Sequence, residues 1–189
     1  MRPIVVIIIV LIVCASTILG CRHRANDGIM ALFRKTKVLI PREKMVHVVC
    51  SQYAFDCDHE ACVTIVNVID QYGCSGCRMS ELARAEVLYE QMFESGSVRS
   101  MYIISAASER IEDVTSLLKK YHLRNTIYLD TCNAFLKANP HIPDNTLFHT
   151  FVLNDLDSVV MVGDPFKNEK MEALFLKILD REKQRKKAV

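Results

Sequence analysis

The chain has 189 residues, half of them hydrophobic and 24% charged, and its formal net charge is +2. That length is enough to bury a core of ordinary domain size, and the composition excludes a disordered chain. A charge so near zero gives no footing for nucleic acid or for an acidic partner.

The N-terminus sets the compartment. "MRPIVVIIIVLIVCASTILGC" carries one positive residue, Arg2, and then no charge until Arg22. The apolar run is short for a membrane span of about 20 residues. A basic start, an apolar middle and small residues near the end are the layout of a secretory signal. Ile18-Leu19-Gly20-Cys21 resembles the lipobox of bacterial lipoproteins, which implies cleavage before Cys21 and a lipid on its thiol. The expected organisation is a signal peptide over 1–20, a lipidated tether over 21–36 and one domain over 37–189. An uncleaved signal anchor is the alternative, and either puts the body outside the cytoplasm. Processing would leave Cys50, Cys57, Cys62, Cys74, Cys77 and Cys132, in a compartment where thiols tend to become disulfides.

In chain order, "KVLIP" (37–41) predicts a short strand stopped by Pro41, and "MVHVV" (45–49) a second, edge-like one. "CVTIVNVI" (62–69) is rich in β-branched residues and too apolar for a one-sided strand, the pattern of a central strand buried on both faces. Leu82, Ala85, Leu88, Tyr89, Met92 and Phe93 then recur at helical spacing as far as "SGS" at 95–97. "VRSMYIISA" (98–106) predicts the next strand, and Ser108 is placed to cap a helix with Ile111, Val114, Leu117, Leu118 and Tyr121 on one stripe. "TIYLD" (126–130) is a strand, followed by a short helix in "TCNAFLKA" that Pro140 ends. "TLFHTFVLN" (146–154) and "SVVMVG" (158–163) form a hairpin across a turn at 155–157, and a helix from about Asn168 closes the chain. The order β-α-β-α-β-α-β-β-α implies a parallel sheet between helices with an antiparallel edge. Pairings among Cys50, Cys57, Cys62 and Cys132 stay open, because spacing does not choose between them.

The chemistry gathers in "VIDQYGCSGCRMSEL" (68–82), where Cys74 and Cys77 sit three apart as a strand gives way to a helix. A thiol reacts as thiolate, and a helix N-terminus stabilises that charge through its free N–H groups. Cys74 is placed to attack a disulfide, and Cys77, one turn further in, to resolve the mixed disulfide. Small Ser75 and Gly76 let the turn close.

Strand–CxxC–helix, then βαβ, a hairpin and a closing helix resemble the thioredoxin superfamily, in particular the TlpA-like extracytoplasmic thiol–disulfide oxidoreductases of bacteria. "VNVIDQYGCSGC", "FHTFVLND" and "VVMVGDPFKNEKMEALF" carry the likeness over residues 60–182. It implies an α/β, thioredoxin-like three-layer sandwich: a central mixed sheet with helices on both faces and extra N-terminal strands. It also implies a membrane-anchored monomer on the periplasmic side of the cell envelope, without a cofactor, acting on protein or small thiol and disulfide substrates with a redox partner protein. By that likeness Cys74 is the nucleophile and Cys77 the resolving thiol, and Phe148 stands in the facing loop where the family carries a cis-proline. Gly73 replaces the usual Trp, and Asn67 lies in the strand that often holds a buried acid. His149, beside Phe148, either steadies a thiolate or is a histidine on an edge strand. Rival readings are a zinc site built from Cys57, Cys62, Cys74 and Cys77 with His59 as a spare ligand, a copper carrier using the dithiol and His149, and a non-catalytic thioredoxin-like binding lipoprotein.

Overall fold

The computed structural model describes residues 33, 36–50, 61–69, 76–88 and 90–188, with the side chains of 76–78, 88 and 94 outside that description. Contacts divide the chain into Met1–Arg34 and Lys35–Val189, and the fold below belongs to the second unit. The six strands are β1 (Val46–Val48), β2 (Val63–Ile69), β3 (Val98–Ser105), β4 (Thr126–Asp130), β5 (Thr150–Asn154) and β6 (Val159–Val162). Five helices intervene: α1 (Gly76–Leu88), α2 (Glu90–Glu94), α3 (Ile111–Lys120), α4 (Ala134–Ala138) and α5 (Glu169–Lys187). None of the described helices is long and apolar enough to cross a membrane.

The strands form one mixed sheet in the order β1-β4-β3-β2-β5-β6. Strands β2, β3 and β4 run parallel, with Val63 opposite Val98 and Met101 opposite Thr126. Strand β5 pairs antiparallel with β2, β6 with β5, and β1 with β4. This is the α/β architecture, central mixed sheet and late hairpin that the thioredoxin-like resemblance implies.

The predominantly apolar β2 lies inside the sheet, flanked by β3 and β5, which explains its lack of a regular apolar–polar alternation. On one face, Ile69, Tyr102, Ile104, Ile127 and Leu129 pack with Met79 and Leu82 of α1 and Val114 and Leu118 of α3. Further along the same face, Val63, Ile65, Val98, Val152 and Met161 meet Phe93 of α2 and Phe175, Ile178 and Leu179 of α5. The alternate residues Val66, Met101, Ile103, Phe151 and Leu153 are just as buried, so the second face is covered too. Ala134 and Phe135 of α4 enter the core separately from both clusters.

Three expectations are corrected. Residues 37–41 make no strand: Lys37 forms one isolated bridge with Ser158, and Leu39 spends its backbone groups on the Asn139 side chain. Ser108 does not cap a helix; it opens a 3-10 turn, Ser108–Arg110, that leads into α3 without a side-chain cap. The strand expected from 146 begins only at Thr150, because Asn145 accepts the Leu147 N–H and winds Thr146–Phe148 into a 3-10 turn. Elsewhere the signals hold: Asn168 caps α5 by accepting from Met171 N, and Asn154 accepts from Leu156 N and Ser158 N to close the hairpin.

Candidate active site

Parallel β2, β3 and β4 deliver their C-terminal ends to one edge of the sheet, where open α/β sheets place their ligands. Strand β2 ends at Ile69 and α1 begins at Gly76, so the second half of the CSGC motif, Gly76 and Cys77, opens a helix. Cys77 is the second residue of α1, while Cys74 and Cys21, the residue expected to carry a lipid, lie outside the described residues, as does the expected signal segment.

Antiparallel β5 brings its own beginning to the same edge. Thr150 stands opposite Asn67 and donates its hydroxyl to Asn67 Oδ1 at 3.1 Å. One residue earlier, the His149 carbonyl accepts from Val68 N at 2.7 Å. Residues 149–150 are thus fastened to the C-terminal end of β2. The Phe148 side chain is buried, and no cis peptide bond occurs among the described residues. His149 Nε2 is buried without a hydrogen-bond partner among the described residues.

A polar network holds α1 against the sheet, and no sequence motif announces it. Glu86 accepts from Arg124 N at 2.7 Å, Asn125 N at 3.2 Å and Asn125 Nδ2 at 2.7 Å, and the Tyr102 hydroxyl also bonds to it. Burial pushes its carboxyl above the usual carboxylate range, against the opposing pull of those donors. Burial, reinforced by the nearby Glu86 charge, likewise pushes the Tyr102 phenol well up. A glutamate on an amphipathic helix reads as a solvated face; only the fold shows it facing the start of β4.

The remaining described thiols stand apart from this edge or lie in its margin. Cys50 is half-buried, and burial pushes its thiol up to about 11, with Lys119 lowering and Glu86 raising it. Cys62 precedes β2 at the far end of the sheet. Seven extended residues span about 20 Å or more, so Cys62 cannot share a metal ion with Cys77 at the helix start. That removes Cys62 from the zinc set proposed from spacing; Cys57 and His59 are outside the described residues. Exposed Cys132 follows β4 at the same edge as the dithiol segment.

No protein-family model and no curated protein matches the chain. Solved structures with a similar path include an uncharacterized thioredoxin-like protein from Porphyromonas gingivalis, 16% identical, with 67% of this chain and 79% of that one covered and a TM-score of 0.48. A putative thiol:disulfide interchange protein DsbE from Chlorobium tepidum is 13% identical over 77% of this chain and 97% of its own, with a TM-score of 0.49. A domain of a possible thiol-disulfide isomerase from Cytophaga hutchinsonii is 15% identical over 80% and 99%, with a TM-score of 0.44. At these identities and scores the likeness decides nothing about chemistry.

Proposed function

We propose that the chain is a membrane-anchored, extracytoplasmic thiol–disulfide oxidoreductase whose working pair is Cys74 and Cys77. The observation that carries this reading is the junction itself: the helix bearing Cys77 follows the C-terminal end of an internal parallel strand, with His149 and Thr150 bonded to that end. A helix start stabilises a thiolate, and the edge of the sheet leaves room for a substrate.

In the reducing direction the Cys74 thiolate attacks one sulfur of a substrate disulfide, whose S–S bond breaks and releases a thiolate. The Cys77 thiolate then attacks the Cys74 sulfur, freeing the second substrate thiol and closing the Cys74–Cys77 disulfide. Two electrons pass to the substrate, and a dithiol partner protein returns them. In this reading His149, whose Nε2 has no hydrogen-bond partner among the described residues, would steady the thiolate. A lipid on Cys21 would hold the domain at the periplasmic side of the cell envelope, and incorporation of a fatty-acid probe that Cys21→Ser abolishes checks it.

The decisive experiment is a titration of the purified protein against reduced and oxidised glutathione, with metal content assayed on the same sample. A reversible two-electron couple that Cys74→Ser abolishes is the expected result. Stoichiometric zinc or copper without such a couple overturns it in favour of a metal carrier, and neither leaves a binding module.

A further inference from the structure

The face shared by α1 and α5 is incompletely filled. A cleft of about 430 Å³ opens between α1, strands β2 and β3 and the loop 163–168 that leads into α5. That volume lies within the range of small-molecule sites, roughly 300–1,000 Å³. Its described lining on α1 comes from the second and third turns, residues 81–85.

The floor is polar and preorganised. Asn67 and Tyr102 face each other across β2 and β3, with Ser100 one step away opposite Ile65. Ser100, Glu86 and Asn125 hold the Tyr102 hydroxyl, whereas Asn67 uses Oδ1 on Thr150 and its Nδ2 has no partner among the described residues. The walls are apolar: Leu82, Phe93 and Phe166, whose ring meets Phe175 edge-on at 5.7 Å.

The mouth carries charge from both sides. Glu81 already has a partner, and Asp164 closes its own loop by accepting from Phe166 N at 2.9 Å. Arg84 on α1 and Lys167 on the opposing loop are exposed and make no ion pair among the described residues. Two unspent cations on opposite walls of an apolar slot with a donor at its base match an elongated anion with a polar far end.

We propose that this cleft binds a small aryl carboxylate, its ring between Phe93 and Phe166, its carboxylate bridging Arg84 and Lys167, and a distal hydroxyl on Asn67.

The test is equilibrium dialysis of the purified full chain against 3-(4-hydroxyphenyl)propanoate, with the matching alcohol and the matching amine as comparison probes. Specific binding is the difference between wild type and Ala85→Trp, whose indole occupies the cleft; circular dichroism melting reports whether that variant is folded. The expected result is carboxylate binding about tenfold or more tighter than either comparison probe, lost by a similar factor in Arg84→Ala/Lys167→Ala and unchanged in the distant Lys177→Ala. Both cations are exposed, so their removal does not threaten the fold. Equal binding of the alcohol, or carboxylate binding that survives the double substitution or a folded Ala85→Trp, overturns the proposal.

Discussion

Glu86 is the residue on which the seating of α1 depends most. Its two oxygens satisfy two backbone N–H groups and one side-chain amide at the start of β4, all in a buried setting. Glu86→Ala leaves those donors unpaired, and each buried unsatisfied group costs about 1–3 kcal/mol. Urea unfolding should therefore show a loss of about 2–4 kcal/mol, large for one site on a helix. The pH dependence has a definite sign. Burial raises the folded-state carboxyl above its ordinary value of 4.5, so the fold prefers the protonated form. That contribution is fully present below the unfolded value and fades as pH climbs through the raised folded one. Wild type should lose stability relative to Glu86→Gln across that window, and parallel curves for the two proteins would refute the assignment. Cys50, close enough to feel the same charge, follows a related logic: a thiol held near 11 stays protonated at neutral pH and resists alkylation.

Among elements, the stretch before β1 shows how one buried side chain replaces a strand. Asn139, completely buried at the end of α4, accepts from Leu39 N and donates to Leu39 O and Phe135 O, each at 2.8 Å. Asn139→Ala should cost about 2–3 kcal/mol and speed hydrogen exchange at the Leu39 amide more than at amides of β3. The turn from β6 into α5 is equally specified: Gly163 has φ +98°, and an added Cβ would meet the Met171 Cε at 3.0 Å. Gly163→Ala should destabilise by about 1–2 kcal/mol, and a melting curve at or above the wild-type temperature would contradict the strain. These two positions mark where the sequence is legible and where it is not. Strands β2, β3 and β4, the stripe of α3 and the Asn168 cap follow from spacing, because their signals are periodic and local. The Asn139 clamp joins residues 100 apart, the Glu86 network joins residues 38–39 apart, and the cleft draws on α1, two strands and a late loop. Nothing in a local window registers such meetings. Even so, the CxxC motif is local enough to be read directly, and the described backbone puts Cys77 at the start of α1 and residues 149–150 at the C-terminal end of β2.

At the scale of the whole molecule, the sheet answers part of the cysteine question that spacing left open. Cys62 precedes β2 and Cys50 follows β1, and since β1 runs antiparallel to β4, both lie toward the end where the parallel strands begin. They are nevertheless separated by β4 and β3. Three interstrand steps amount to about 14 Å, twice the largest Cα separation a disulfide tolerates, about 7 Å. Cys132 follows β4 at the opposite end, so the length of the strands, about 20 Å, divides it from both of the others. No two of these three thiols can bridge within one folded chain, and all three are free in the structure. Proteolytic mapping under non-reducing conditions should therefore find no 50–62, 50–132 or 62–132 linkage in monomeric protein. Any of the three at stoichiometric yield would require a different strand order, since no side-chain rotation closes gaps of that size. The same geometry leaves Cys132 as the one exposed described thiol at the edge where the parallel strands end, two strands from β2. Under mild oxidation, disulfide-linked dimers should thus form through Cys132 and disappear in Cys132→Ser, while the glutathione couple assigned to Cys74 and Cys77 persists.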